Sequence, residues 1–319
     1  MPSYVSHAIF GKNVISKLER MRKASIVEII KANPVAFQWG AQGPDILFFR
    51  DAFDKKRTSD LGDYGARMHK TKTAELLSAF VEYASAPNTT DAEKSYIYGF
   101  YCHYALDMSV HPYVYYMQEQ WRPYYESSLP YGIHMKIETD MDTAMFNKYI
   151  GGNIRKYVMD PSLKNDKRQI DAIANVQCHV LQKVYDGHFT ANDIYSCIKN
   201  DFNREKFMFD PIYIKSYLYT KYLELTHHEK NSFCANCRPK KIKYDVLNED
   251  KKTWYNFRLK GKPINKSVPE LFEGAEEVAA KLIIDTDKSI TEYVEMNFYS
   301  EMPTFDDGNP QVFGLSTDV

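Results

Sequence analysis

Apolar positions along this chain recur at steps of three and four residues. No stretch alternates apolar with polar in the way a half-buried strand would. The pattern predicts an all-α, multi-helix protein. The clearest segment is the last: from Val268 to about Met296, residues Leu271, Phe272, Ala275, Val278, Ala279, Leu282, Ile283, Ile290, Tyr293 and Val294 share one broad helical face. Ser267 followed by Glu270 forms a capping box ahead of it, and Thr90 followed by Glu93 starts another helix reaching about Met108. Further helices are expected near 6–22, 62–85, 132–149, 162–186, 190–207 and 211–227, with Gly187 as a C-terminal cap.

Two stretches fall outside this pattern. Residues 33–60 hold Asn33-Pro34, Gly40, Gly43-Pro44 and Phe48-Phe49, and are expected to form an ordered loop. Residues 229–266, with the run Lys240-Lys241-Ile242-Lys243, are expected to be a basic surface insertion in a single helical domain spanning 1–319. No internal repeat of fixed period is visible.

Composition narrows the class. With 44% hydrophobic and 26% charged residues the chain has the make-up of a folded protein rather than a disordered one. Lysine and arginine (41) nearly cancel aspartate and glutamate (42), so no stable nucleic-acid partner held by bulk charge is expected. There is no apolar run of the roughly 18 residues a membrane span needs, and the amino-terminal segment lacks a basic region followed by an apolar one. Five cysteines are a sparse, odd set that suits a reducing compartment. The expected location is the cytoplasm. The pair Cys234 and Cys237, preceded by His227 and His228, is a weak candidate for a small structural zinc site, because a lone C-x2-C lacks its second pair.

The chemistry concentrates in the first half. His103, Asp107 and His111 are spaced H-x3-D-x3-H, and His134 and Glu138 are spaced H-x3-E. Four-residue steps place each His–carboxylate pair on one helix face. Nine histidines in 319 residues make the first pattern an accident expected on the order of 0.02 times. A metal site follows. Along a helix His103 and His111 stand roughly 12 Å apart, too far for one ion with bonds of about 2 Å. Asp107, between them, is able to bridge, and Pro112 is expected to push His111 out of helical geometry. At least two ions are implied, and imidazole with carboxylate but no thiolate suits zinc. By themselves His7, His69 and Asp45 are unremarkable core or turn residues.

Together with His7-Ala8-Ile9-Phe10-Gly11, Gly40-Ala41-Gln42-Gly43-Pro44-Asp45 and Met68-His69, these motifs resemble, in order, the zinc-dependent bacterial phospholipase C family, which shares its three-zinc helical architecture with P1-type nucleases. The resemblance covers roughly residues 4–150. It implies one zinc on Asp45, His69, His103 and Asp107, a second on His111, His134 and Glu138, and a third on His7 that shares Asp107. It implies that a water or hydroxide between the bridged pair is the nucleophile, with Asp45 as ligand or general base. In secreted members the third zinc also takes the terminal amino group, for which Met1, or Pro2 after methionine removal, stands here. Asp142, one turn beyond Glu138, is a candidate partner behind the ligands.

Three divalent ions against three carboxylates leave a positive centre that draws a phosphodiester. The expected activity is phospholipase C hydrolysis of glycerophospholipids, with transient contact at a membrane surface. A P1-type single-strand nuclease and a metal-binding protein without turnover are the alternatives. Tyrosine clusters at 113–116 and 124–125 would serve helix packing, a choline head group or a nucleobase alike. No histidine is followed by aspartate, and neither a G-x-S-x-G elbow nor a P-loop is present.

Overall fold

The computed structural model describes residues 4–53, 59–122, 130–225, 237–257, 262–296, 298 and 302–306. Its helices are α1 (Tyr4–Arg20), α2 (Ala24–Ala32), α3 (Pro34–Gln42), α4 (Leu61–Lys70), α5 (Thr73–Ser85), α6 (Asp91–Trp121), α7 (Pro130–Tyr149), the single turn α8 (Ser162–Asn165), α9 (Lys167–Tyr185), α10 (Ala191–Met208), α11 (Ile214–Leu225) and α12 (Val268–Thr291). A 3₁₀ segment, Gly43–Phe49, follows α3, and Trp254–Tyr255 (β1) pairs antiparallel with Pro263–Ile264 (β2). The all-α expectation holds, with this short ribbon as a local addition. No described helix is long and apolar enough to cross a membrane.

Both predicted capping boxes are present: the Thr90 hydroxyl accepts from Glu93 N, and the Ser267 backbone N–H donates to the Glu270 carboxylate at 2.8 Å. Elsewhere tertiary packing overrides local signals. The expected loop at 33–60 is largely helical, because Pro34 occupies the first turn, where its missing N–H costs nothing. The helix expected at 62–85 divides into α4 and α5 at Lys72, which is left-handed (φ 56°). The left-handed residue ending α9 is Asp186 (φ 57°), not Gly187, whose N–H instead reaches Leu181 O.

Helix α6 is the axis of the molecule. Its 31 residues continue through Pro112 to Trp121, so the proline does not release His111. Burial of α6 among α3, α7, α9 and α12 outweighs the roughly 3 kcal/mol a mid-helix proline costs. The closest crossing is with α3, where Gly40 and Gly99 meet backbone to backbone: a Cβ on Gly40 would lie 2.1 Å from Tyr96 O, and one on Gly99 2.1 Å from Phe37 O. This contact sets the 3₁₀ segment directly over the middle of α6. The continuous core reaches from Tyr4 to Phe305. In the basic stretch Lys240, Lys241 and Lys243 face solvent, whereas Val246, Leu247 and Trp254 are buried in that core.

Candidate metal centre

Five segments deliver polar side chains to one place. Helix α1 brings His7, the 3₁₀ segment Asp45 and α4 His69; α6 contributes His103, Asp107 and His111, and α7 adds His134 and Glu138. All eight are buried except His134, which is partly so. Gly43 makes the approach possible. Its φ of 55° is open to glycine, and a Cβ there would lie 2.3 Å from the His103 ring.

Asp107 sits at the hub with no exposure to solvent. Its Oδ1 is 3.3 Å from His7 Nε2, and its Oδ2 is 3.2 Å from His103 Nε2, 3.6 Å from His69 Nε2 and 3.9 Å from His111 Nε2. His69 Nε2 also lies 3.2 Å from Asp45 Oδ1. Glu138 Oε1 is 2.7 Å from His134 Nε2 and 3.8 Å from His111 Nε2. Ligand atoms gather within 4.8 Å in three groups: His7 with His103 and Asp107; Asp45 with His69 and His103; and His111 with His134 and Glu138. His103 stands in the first two, its ring stacked 4.5 Å from that of His7.

The hydrogen bonding shows what the cluster lacks. Both nitrogens of His7 and of His103, both oxygens of Asp107, Asp45 Oδ1 and His69 Nε2 are buried with no hydrogen-bond partner. Leaving so many polar atoms unpaired would cost a few kcal/mol each. A divalent cation removes that penalty, and neutral imidazole with carboxylate is a donor set suited to zinc. Three histidines are already prepared for it. The Nδ1 of His69 lies 2.7 Å from Gly65 O, that of His134 3.0 Å from Gln118 Oε1, and that of His111 3.1 Å from Phe305 O and 3.0 Å from Asp306 Oδ1. Each contact favours a proton on Nδ1 and leaves the Nε2 lone pair facing the carboxylates.

Without a cation, protons take over part of its role. Burial alone would lower the His69 pKa, but Asp107 and Asp45 outweigh it and carry it up to about 10. His111 rises to about 9 because Asp107, with Asp306 and Glu138, overcomes the same burial. Asp107 is held well below the usual carboxylate range: burial opposes ionisation, and the surrounding imidazoles prevail.

Asp142 is not behind Glu138. Its carboxylate accepts from the backbone N–H groups of Val5 and Ser6 at 3.0 and 2.8 Å, fastening the start of α1, and so His7, to α7. Gln118 and Asp306 were not foreshadowed by any spacing; His111 and Asp306 are joined only in the folded chain. Met1, Pro2, His227, His228 and Cys234 lie outside the described residues, so the amino-terminal ligand and the C-x2-C site cannot be placed.

One side of the centre borders a cavity of about 790 Å³. His69, His111, His134 and Glu138 open onto it, beside Leu47, Phe48 and Met135 on the apolar side and Arg50, Asp51 and Lys70 on the polar one. Comparison with curated proteins and with solved structures finds no match. A family model described as zinc dependent phospholipase C matches residues 6–206, which carry every clustered ligand candidate and more than half of the chain. The chain belongs to the zinc-dependent phospholipase C family.

Proposed function

We propose that the protein is a zinc-dependent phosphodiester hydrolase of the phospholipase C type, acting on glycerophospholipids. The observation that carries this reading is the convergence of three His–carboxylate groups, with His69, His111, His134 and Glu138 opening onto a cavity. Asp45, His69, His103 and Asp107 hold one zinc, and His111, His134 and Glu138 hold a second. His7 holds a third and shares Asp107 with the first.

Bound zinc supplies Lewis acidity toward a phosphate ester and brings the pKa of water close to neutrality. The chain's own residues do the rest. The Nδ1 contacts of His69, His111 and His134 keep their rings from rotating. Asp45 accepts the proton given up by the attacking water, its Oδ1 having no internal partner. A new P–O bond forms to that water oxygen, the P–O bond to glycerol breaks, and the glycerol oxygen takes up the proton held by Asp45 to leave as diacylglycerol, with the head-group phosphate monoester as the other product. Leu47, Phe48 and Met135 give the cavity a wall on which the glyceride end packs, and the Lys70 ammonium favours an anionic phosphate, the Arg50 guanidinium being paired with Asp51 and Asp193. The substrate would be met at a membrane surface by transient contact.

The test is hydrolysis of phosphatidylcholine set beside single-stranded DNA, with His103→Ala as the control. Release of diacylglycerol by the zinc-loaded protein and its loss in the variant are expected. Cleavage of DNA alone would put a P1-type nuclease in place of this reading. Absence of turnover on any diester, at full zinc occupancy, would leave a binding protein.

A further inference from the structure

The chain returns to the metal centre long after the matched family region has ended. Residues 302–306, beyond α12, lie across one side of it, outside residues 6–206. Tyr104 on α6 donates its hydroxyl to Pro303 O at 2.7 Å. Phe305 is wholly buried, its ring 5.2 Å from that of His69 and 5.7 Å from that of His103. Asp306 follows, buried, with its Oδ1 3.0 Å from His111 Nδ1, and it borders the cavity.

The three anchored histidines differ in what stands behind them. His69 faces a backbone carbonyl and His134 a side-chain amide, both neutral. His111 faces a carboxylate as well as a carbonyl. An anion behind an imidazole fixes its tautomer more firmly and makes the opposite nitrogen a stronger donor, an effect worth roughly 10–100-fold in metal affinity.

We propose that Asp306 is a positioning residue of the metal centre: it accepts the Nδ1 proton of His111, holds Nε2 toward Asp107 and Glu138, and sets the zinc affinity of the His111, His134 and Glu138 group. The inference rests on the zinc reading above and goes beyond it, by making the segment at 302–306 a working part of that centre. Phe305 closes the His69 and His103 side against water, and Asp306 supplies the charge behind the exposed edge.

The full-length protein is stripped of metal and titrated with zinc against a chromophoric chelator, and separately with cobalt, whose visible spectrum reports ligand geometry. Wild type, Asp306→Asn, Asp306→Ala and Asp306→Glu are compared. One ion of the set is expected to bind about 10-fold more weakly in Asp306→Asn and up to about 100-fold more weakly in Asp306→Ala. The remaining ions should stay within about twofold, the cobalt spectrum should change, and Asp306→Glu should restore much of the loss. In a His111→Ala background, Asp306→Ala should cost nothing further, because its target is gone. The proposal is overturned if the folded variants bind every ion as wild type does, if all ions weaken equally, or if the loss persists undiminished in the His111→Ala background. Failure of both Asp306→Asn and Asp306→Ala to fold would assign the residue to the fold and overturn it too. A wild type that binds no zinc would sink the zinc reading itself, a result distinct from all of these.

Discussion

Two buried polar clusters in this protein use similar residues and end differently. Around α6, the carboxylates Asp45 and Asp107 are buried among histidines, and no lysine or arginine pairs with them among the described residues. On α10, Asp201 and Glu205 are buried beside Arg204 and with Arg238. There Arg204 reaches Asp201 at 2.9 Å and Glu205 at 3.0 Å, Arg238 reaches Glu205 at 2.6 Å and Ile154 O at 3.4 Å, and the Arg204 guanidinium lies over the Phe49 ring. None of these charged atoms is unpaired, whereas the α6 cluster leaves polar atoms on His7, Asp45, His69, His103 and Asp107 without partners. A carboxylate that carries its own cation is structure. One that is buried with neither a cation nor a hydrogen-bond donor calls for a cation from outside, and that difference separates a site from a strut here.

Zinc removal gives the largest contrast. An ion held at a thousand times its Kd contributes about 4 kcal/mol, so chelation should lower the melting temperature of wild type steeply, with elemental analysis of the untreated protein giving about three zinc per chain. The same chelation should barely move a variant in which His69, His103 and His134 are all replaced by Ala. Equal melting temperatures with and without chelator in wild type would erase the distinction between the two clusters. Next in size is Asp107→Asn. It removes the shared carboxylate, so hydrolysis should fall by about 10³-fold or more, beyond the roughly 10–100-fold typical of a residue that only orients a ligand. Zinc content should drop to the single ion of His111, His134 and Glu138. Retention of all ions would show that Asp107 is no bridge.

Arg238→Ala should act in the opposite manner. It takes away one of the two guanidinium groups that keep buried Glu205 ionised, leaving Arg204 as the other. Breaking a buried pair costs about 3–5 kcal/mol, which thermal unfolding would read, while zinc stoichiometry stays unchanged. Parallel loss of zinc would mean that the α10 cluster also belongs to the metal centre.

What could be read before folding follows from how far apart the deciding residues stand. The capping boxes at Thr90 and Ser267 act over three residues, so they were legible. The His103, Asp107, His111 spacing was legible too, because its chemistry repeats on one helix face. Helix α3 was not: Gly40 looks like a breaker locally, and its use is a contact with Gly99 on another helix. Pro112 looked like an end to α6 for the same reason, since the packing that overrides it is distant in the chain. Gln118 and Asp306 had no signal at all. Their role consists of reaching His134 and His111, and only the fold supplies that proximity.

The smallest effect is a pH slope that two buried carboxylates outside the histidine cluster, Asp201 and Asp142, should show in the zinc-free protein. Burial raises Asp201 to about 6 despite Arg204, and burial raises Asp142 to about 6 despite its bonds to Ser6 and Val5. Their ordinary value is 3.8, so between about 4 and 6 the native state holds protons the unfolded chain has released. These two groups therefore lend stability that is lost as pH rises through that window, while His103 and His134, whose pKa burial lowers, pull the other way. Each group adds a slope of at most about 1.4 kcal/mol per pH unit. His69 and His111, raised to about 10 and 9, add a further fall only above the ordinary histidine value of 6.5, where the unfolded chain begins to release their protons. In urea unfolding across this range, the stability of wild type relative to Asp201→Asn should fall as pH rises. With zinc bound the sign reverses, because protons compete for the histidines and acid then weakens the fold. A zinc-free protein whose stability rises from pH 4 to 6 would place the dominant titration back among the clustered histidines and carboxylates. The two regions would then share one proton linkage instead of opposing each other.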